Sequence, residues 1–259
     1  MERARRHAYL RAMGITPWVP RGDGAAVPAP ALAGPTVAAV EPTSEVPGGQ
    51  VAEGPSNAPL TQVRADALDP GDSVASLEWE DLAATVAACR ACGLCETRTQ
   101  TVFGVGSRGA QLLVIGEAPG ADEDRAGEPF VGRAGQLLNR MLAAIGLERE
   151  QVYIANILKC RPPGNRDPRP DEVLRCLPYL MRQIELIGPR IVLAVGRISA
   201  QTLLGTDLPL GRLRGRWLEL GSRAIPLRVT YHPAYLLRSP DQKARAWEDL
   251  TAVARRLGA

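Results

Sequence analysis

The chain has 259 residues, of which 45% are hydrophobic, and its formal net charge is +3. No apolar run approaches the ~20 residues that a membrane span needs, and the charged N-terminus lacks the apolar stretch of a secretory signal. We therefore expect a cytoplasmic protein with no membrane partner. In that reducing compartment, the five cysteines are expected to be metal ligands, catalysts or buried thiols rather than disulfides.

Composition divides the chain into three parts. Residues 22–76 are rich in Ala, Pro and Gly and show neither helical nor strand periodicity, which predicts a disordered linker. Residues 77–259 form the predicted folded domain, which has a common single-domain size. Residues 1–80 carry 6 Lys+Arg and 10 Asp+Glu, whereas residues 81–259 carry 25 and 18. A mildly basic domain suggests a polyanionic partner, although the arginine enrichment also fits a GC-rich genome.

The first part, residues 1–21, has apolar residues spaced to form one face of a short helix: Tyr9, Leu10, Met13 and Ile15. Such an island ahead of a linker is typical of a docking peptide. The alternative is a helix packed on the chain's own domain. The segment resembles, in its Leu/Met-Gly-Ile-Thr-x-Trp core, the N-terminal peptide of the psi subunit of the bacterial DNA polymerase III clamp loader, which docks on the chi subunit. That resemblance implies a replisome protein as a partner of residues 1–21.

From residue 81 onward, predicted helices and strands alternate. The helices are expected at residues 81–92, 133–147, 169–187, 197–205 and 241–257, and the strands at 111–116, 152–158, 190–196, 216–221 and 224–231. This alternation predicts an α/β fold, a three-layer sandwich with a central, mostly parallel sheet. In such folds the site lies beyond the carboxyl ends of the strands, which selects Glu117, Asn156 and His232.

Three of the five cysteines are close together in sequence and supply a C-x2-C pair. Cys89, Cys92 and Cys95 form "CRACGLC", Cys160 follows a predicted strand, and Cys176 lies in the next helix. One such pair with two distant cysteines supplies four thiolates, which suits tetrahedral zinc or an iron–sulfur cluster. The spacing leaves both open, beside the alternative of two ligands and three buried thiols. The spacing does not tell which of Cys89, Cys92 and Cys95 is not one of the four ligands.

A glycine-rich loop follows the first predicted strand. "GEAPGADEDRAGEPFVGRAGQLL" (116–138) holds five glycines and leads into a helix, an arrangement that often brings backbone N–H groups close to a ligand. It is neither G-x-G-x-x-G nor a Walker loop, which argues against dinucleotides and nucleoside triphosphates. Phe130 in this loop is either a plug into the core or a stacking face for a planar ligand, and its surroundings alone favour the plug.

Four separated motifs together resemble a known family. "GEAPG", "GEPFVGRAGQLL", "NILKCRPPGNRDP" and "YHPAYLLR", with the cysteines, closely resemble the family 4 uracil-DNA glycosylases, bacterial and archaeal enzymes that carry a [4Fe-4S] cluster. The resemblance covers roughly residues 81–257. It implies a monomeric base-excision-repair hydrolase in the bacterial cytoplasm, associated with the nucleoid. Such an enzyme flips uracil out of single- or double-stranded DNA and hydrolyses its N-glycosidic bond, leaving an abasic site.

The resemblance also implies roles for single residues. It implies that the cluster ligands are Cys89, Cys92, Cys160 and Cys176 and that Cys95 is not a ligand. It implies that uracil stacks on Phe130 and pairs along its edge with the amide of Asn156. It implies that the uracil and the attacking water lie next to Glu117, Ala118 and Pro119.

Two groups are candidates for the chemistry itself. His232, at a strand end, is the natural hydrogen-bond donor to uracil O2 as negative charge develops there, and a neutral imidazole suffices. Glu117 is the available carboxylate to orient the water. Both are therefore expected to be catalytic.

The remaining candidates concern contact with DNA. Leu236 and Leu237 are predicted to wedge into the gap that a flipped nucleotide leaves, and Arg238 to meet a phosphate. Arg161 and Arg166, close to Cys160, are further candidate phosphate contacts. The alternatives are leucines that cap the core and arginines that are simply solvated.

Competing functions differ in chemistry. The related cross-linking uracil-binding proteins carry a basic, histidine-containing insert where this chain has "CRPPGNRDP", so covalent trapping of DNA is disfavoured. A zinc nucleobase deaminase would need H-x-E and P-C-x-x-C motifs, and neither occurs here. The main alternatives are a non-catalytic iron–sulfur uracil- or DNA-binding module and an iron–sulfur electron carrier.

Overall fold

In the computed structural model, the described part of the chain is residues 74–258. The predicted docking peptide and residues 22–73 of the predicted linker lie outside it. The helices of the described part are α1 (Trp79–Ala87), α2 (Ala121–Ala126), α3 (Arg133–Ala144), α4 (Pro170–Ile187), α5 (Arg197–Leu204), α6 (Leu210–Leu213), α7 (Pro233–Arg238) and α8 (Lys243–Leu257). The strands are β1 (Val105–Gly106), β2 (Leu112–Gly116), β3 (Tyr153–Asn156), β4 (Ile191–Val195), β5 (Trp217–Leu220) and β6 (Ile225–Thr230). None of the described helices combines the length and apolar character of a membrane span.

One mixed sheet organises these elements. Its strand order is β1-β3-β2-β4-β6-β5. The four inner strands are parallel, and only β1 and β5, at the two edges, run antiparallel to their neighbours. The predicted mostly parallel sheet is therefore confirmed. Parallel pairing brings the carboxyl ends of β2, β3, β4 and β6 to one edge of the molecule.

Both faces of the sheet are covered, as three layers require. Successive residues of a strand point to opposite faces. Leu113 accordingly packs in one hydrophobic cluster with Leu180 of α4, while Leu112 packs in another with Leu138 of α3 and Leu250 of α8. The inner strands β2, β3 and β4 are buried throughout, which is why they are continuous apolar runs in the sequence.

Strand β1 and helix α6 were not predicted, and three further elements, close to the cysteines or to His232 or in the glycine-rich loop, differ from the predictions. The helix expected at residues 81–92 begins at Trp79 and ends at Ala87, so the chain has already left the helix when it reaches the cysteines. Helix α2 forms inside the glycine-rich loop. The run after His232, for which no helix was predicted, is helix α7: Pro233 is its first residue, and the ring of His232 accepts a hydrogen bond from the backbone N–H of Ala234.

Candidate active site

A cleft of about 430 Å³ opens at the carboxyl ends of the inner strands. Eight of the residues proposed from the sequence line it together: Glu117, Ala118, Pro119, Phe130, Asn156, Arg166, His232 and Arg238. They come from four separate segments of the chain. The fold thus brings into one cavity the three residues that the strand-end rule selected and five that were proposed on other grounds.

Asn156 ends β3 and presents a buried polar group to this cleft. The residue is 2% exposed, and its Oδ1 has no hydrogen-bond partner among residues 74–258. A Cβ atom at Gly116 would lie 2.4 Å from that Oδ1 and 2.7 Å from the ring of Phe130. Gly116 therefore leaves room for both groups. A buried acceptor without a partner is costly, so this oxygen calls for an N–H donor from a ligand.

Phe130 is held in an unfavourable backbone conformation. Its φ of 54° is uncommon for a residue with a side chain. Arg149 donates to the carbonyl oxygens of Pro129 and, over 3.2 Å, of Phe130. Behind the same carbonyl lies Gly135 of α3, where a Cβ atom would sit 1.8 Å from the oxygen. Phe130 is 6% exposed and packs in the core, so it is a plug whose ring also forms a wall of the cleft.

The tautomer of His232 follows from a backbone contact. The N–H of Ala234 donates to Nδ1 over 3.2 Å, so the neutral ring carries its proton on Nε2. Burial is the main cause that lowers the pKa of His232 to about 4; the positive charge of Arg238 contributes to this net shift, and the negative charge of Glu123 opposes it. The ring centroid lies 5.5 Å from that of Phe130. His232 is therefore a neutral N–H donor beside a flat aromatic wall.

Glu117 follows β2 directly and is partly buried. Burial is the main cause that raises the pKa of its carboxyl to about 7; the negative charge of Asp167 contributes to this net shift, and the positive charge of Arg197 opposes it. A carboxyl with this pKa changes charge near neutral pH, as a group that accepts a proton during catalysis should.

Glu123 of α2 was not singled out in the sequence, yet it organises the loop around the cleft. Its Oε2 accepts from the backbone N–H of Gly120 over 3.1 Å, and its Oε1 accepts from those of Val131 and Gly132, both over 3.0 Å. It thereby joins the start of α2 to the start of α3. The acidic run 122–124 was the available signal, but the partners of its members depend on the fold.

The predicted wedge is wrong for one of its two leucines. Leu236 is 1% exposed and packs in the core with α3 and α8, so it has no free surface to insert into DNA. Leu237 is 37% exposed and remains a candidate. Helix α7 explains the difference, because consecutive helical residues point about 100° apart.

The predicted phosphate contacts also differ from one another. Arg238 is exposed at the cleft. Arg166 reaches the cleft but also holds both carboxylate oxygens of the buried Glu172. Arg161 lies outside the lining and donates from Nε to Oδ1 of Asn165 over 2.8 Å. Of the arginines in this group that line the cleft, Arg238 is therefore the one that forms no ion pair within the described part of the chain.

All five cysteines line a second, small cavity of about 10 Å³. Four sulfurs face hydrogen-bond donors: Cys89 faces the N–H of Ala91 and the hydroxyl of Tyr179, Cys92 the N–H of Leu94, Cys160 the guanidinium of Arg98, and Cys176 the N–H of Lys159. Among the described residues, the sulfur of Cys95 has no such donor. Burial raises the pKa of Cys176 to about 12 and also raises those of Cys92 and Cys160. As thiolates these groups need positive charge between them.

A short segment links this cavity to the cleft. Arg98 donates to the sulfur of Cys160 over 3.0 Å and to the carbonyl of Cys89 over 2.8 Å. Its neighbour Thr99 donates from its N–H and its hydroxyl to the carboxylate of Asp124, which is 3% exposed in α2. The cysteine cavity is thus tied to the helix that carries Glu123.

Comparison with known proteins agrees with this geometry. The family model described as the uracil DNA glycosylase superfamily matches residues 103–251. A type-4 uracil-DNA glycosylase of Archaeoglobus fulgidus is 44% identical over 180 residues, covering 67% of this chain and 90% of the relative. That of Sulfurisphaera tokodaii is 41% identical, covering 67% and 82%, and a type-5 enzyme of Pyrobaculum aerophilum is 30% identical, covering 51% and 64%. With more than half of the chain matched by the family model and most of each type-4 relative covered, the chain belongs to the uracil DNA glycosylase superfamily and, within it, to the type-4 enzymes.

Proposed function

We propose that this chain removes uracil from single- or double-stranded DNA by hydrolysing the N-glycosidic bond, which leaves an abasic site. The observation that carries the proposal is the unpartnered Oδ1 of Asn156 in a cleft walled by Phe130. Uracil N3 carries a hydrogen and can donate to this oxygen, while the amide N–H₂ donates to uracil O4. Cytosine has no hydrogen on N3 and an amino group in place of O4, so the same amide rejects it.

Access to the bond requires base flipping. Uracil within a stack is out of reach of His232, so the nucleotide must rotate into the cleft. Phe130 then offers its ring as the stacking face, held by Arg149 and Gly135 before the ligand arrives. A face that is already in position loses little conformational entropy on binding.

Cleavage expels a uracil anion from a sugar that develops oxocarbenium character. The Nε2–H of His232 donates to uracil O2, where negative charge accumulates, and the ring is neutral at physiological pH because its pKa is near 4. Water attacks C1′ of the sugar. Glu117, in its ionised form, orients this water and accepts its proton.

We propose that a [4Fe-4S] cluster binds at the cavity lined by the five cysteines. The ligands would be Cys89, Cys92, Cys160 and Cys176, whose sulfurs all face hydrogen-bond donors, as is common for cluster thiolates. When bound, the cluster supplies the positive charge that the thiolates need. Its expected contribution is to hold α1, the Cys160 loop and α4 together.

The test is release of the base from defined oligonucleotides. The purified chain is incubated with single- and double-stranded DNA that contains one uracil or, as the matched control, one cytosine, and the DNA is then treated with alkali. Scission at uracil and none at cytosine is expected. Binding without scission would instead identify a non-catalytic uracil- or DNA-binding module.

A further inference from the structure

Helix α7 presents an aromatic side chain beside the cleft that none of the roles above uses. Tyr235 lines the cleft and is 38% exposed, while the next residue, Leu236, is buried in the core. The hydroxyl-bearing ring is therefore one of two large uncharged side chains of this helix that are available to a ligand. Leu237, with 37% exposure, is the other.

Tyr235 is supported from behind by a second aromatic ring. Its ring stacks on that of Tyr231 with a centroid distance of 5.3 Å and an interplanar angle of 25°. The guanidinium of Arg214 lies 5.1 Å from the centroid of Tyr231. Arg214 is itself fixed by Asp249, which is 0% exposed, over 3.0 Å. The pair of tyrosines is thus anchored to the core and presents a flat surface whose position is set in advance.

The cleft edge next to this surface carries a positive charge. Arg238 lies one helical turn after Ala234, lines the cleft and is exposed. A flat ring beside a guanidinium that forms no ion pair with the described residues suits a nucleotide, since the base meets the ring and the phosphate meets the arginine. Because uracil itself is accounted for by Phe130 and Asn156, the nucleotide that fits here is a neighbour of the flipped one.

We propose that Tyr235 stacks against the base adjacent to the flipped uracil and so replaces a contact which that base loses when uracil leaves the stack. This rests on the proposed function, since it assumes that uracil enters the cleft. Every base has a flat face, so the contact would support binding without restricting sequence. It also gives α7 a role in DNA binding that does not depend on the buried Leu236.

The experiment uses 2-aminopurine, a fluorescent base whose emission falls when it stacks on an aromatic ring. It is placed 5′ or 3′ of a 2′-fluoro-substituted deoxyuridine, which resists hydrolysis, in a single-stranded oligonucleotide. The full chain is compared with the variants Tyr235→Phe, Tyr235→Ala and, as a control at an equally exposed apolar position outside the cleft, Leu208→Ala (43% exposed). Fluorescence in the complex and the Kd are measured for each protein.

Quenching at one of the two positions is expected for the wild type, Tyr235→Phe and Leu208→Ala. Tyr235→Ala should lose the quenching and bind about tenfold more weakly, which corresponds to about 1.4 kcal/mol. Quenching and affinity in Tyr235→Ala equal to those of the wild type would overturn the proposal. A loss of both in Tyr235→Phe would also overturn it, because the aromatic ring would then not be the contact. Excision of unmodified uracil by the wild type, measured in parallel, tests the proposed function separately. Active wild type with an unaffected Tyr235→Ala therefore refutes only the stacking.

Discussion

Single residues in the cleft owe their chemical state to burial. Glu117 and His232 are both shifted toward their neutral forms, the first upward to about 7 and the second downward to about 4. Because desolvation disfavours any charge, the same cause moves an acid and a base in opposite directions. Near neutral pH the histidine is thus a neutral donor throughout, and the carboxyl is the group that titrates.

This difference predicts the pH dependence of excision. Glu117 must be ionised to accept a proton, so the single-turnover rate should rise with pH up to about 7 and then level off. His232 stays neutral over this range and should add no further change. Glu117→Gln should slow excision by roughly 10- to 100-fold and remove the rise. A variant with the full rate and an unchanged pH profile would take Glu117 out of the mechanism.

The position of Phe130 depends on a residue 19 positions away in sequence. Arg149→Met removes the two donors that hold the carbonyls of Pro129 and Phe130, so the strained loop should relax. We expect free uracil to inhibit the variant about tenfold less strongly, while general binding of DNA without uracil stays the same. Arg140→Met, on the exposed side of α3, is the matched control. Equal inhibition of all three proteins would show that Arg149 does not position the stacking face.

At the scale of elements, the link between the cysteine cavity and α2 is made by the carboxylate of Asp124. Its replacement by alanine leaves the N–H and hydroxyl of Thr99 without their acceptor. The free energy of unfolding, measured by urea denaturation, should fall by about 1–3 kcal/mol. Asp122→Ala, two residues earlier on the exposed surface of α2, should change it by less than about 0.5 kcal/mol. Similar losses in both variants would contradict a specific role for the Thr99 contact.

Replacement of single cysteines distinguishes the four proposed cluster ligands from the fifth cysteine, Cys95. Cys160→Ser should lose the iron and the broad visible absorbance of an iron–sulfur protein, whereas Cys95→Ser should keep about four iron atoms per chain. The physical reason is that the sulfur of Cys160 faces a donor from Arg98, while that of Cys95 faces none in the described structure. If Cys95→Ser lost the iron and Cys160→Ser kept it, Cys95 would be the ligand and Cys160 the spare cysteine. One zinc per wild-type chain would contradict the cluster itself.

At the scale of the whole molecule, the sequence predicted what depends on local pattern. The inner strands were recognisable because a strand covered on both faces must be apolar throughout, as in β2 and β4. Their carboxyl ends then located Glu117, Asn156 and His232 in one cleft.

The features that were missed depend on contacts between distant segments. The six-residue helices α2 and α7 are too short to show a clear helical period in the sequence. Leu236 faces the core because its segment forms helix α7. The support of Phe130 by Arg149 and the contact of Thr99 with Asp124 join residues 19 and 25 positions apart. Such partners follow only from the packed fold.

The central claim is that this chain excises uracil with His232 as the donor to the leaving base. The most direct measurement is the single-turnover rate of excision from uracil-containing single-stranded DNA by the wild type and by His232→Ala, read as strand scission after alkali. We expect scission with the wild type and a rate at least ~10²-fold lower in the variant, with DNA binding retained. Absence of scission with the wild type, or an unchanged rate in His232→Ala, would contradict the account.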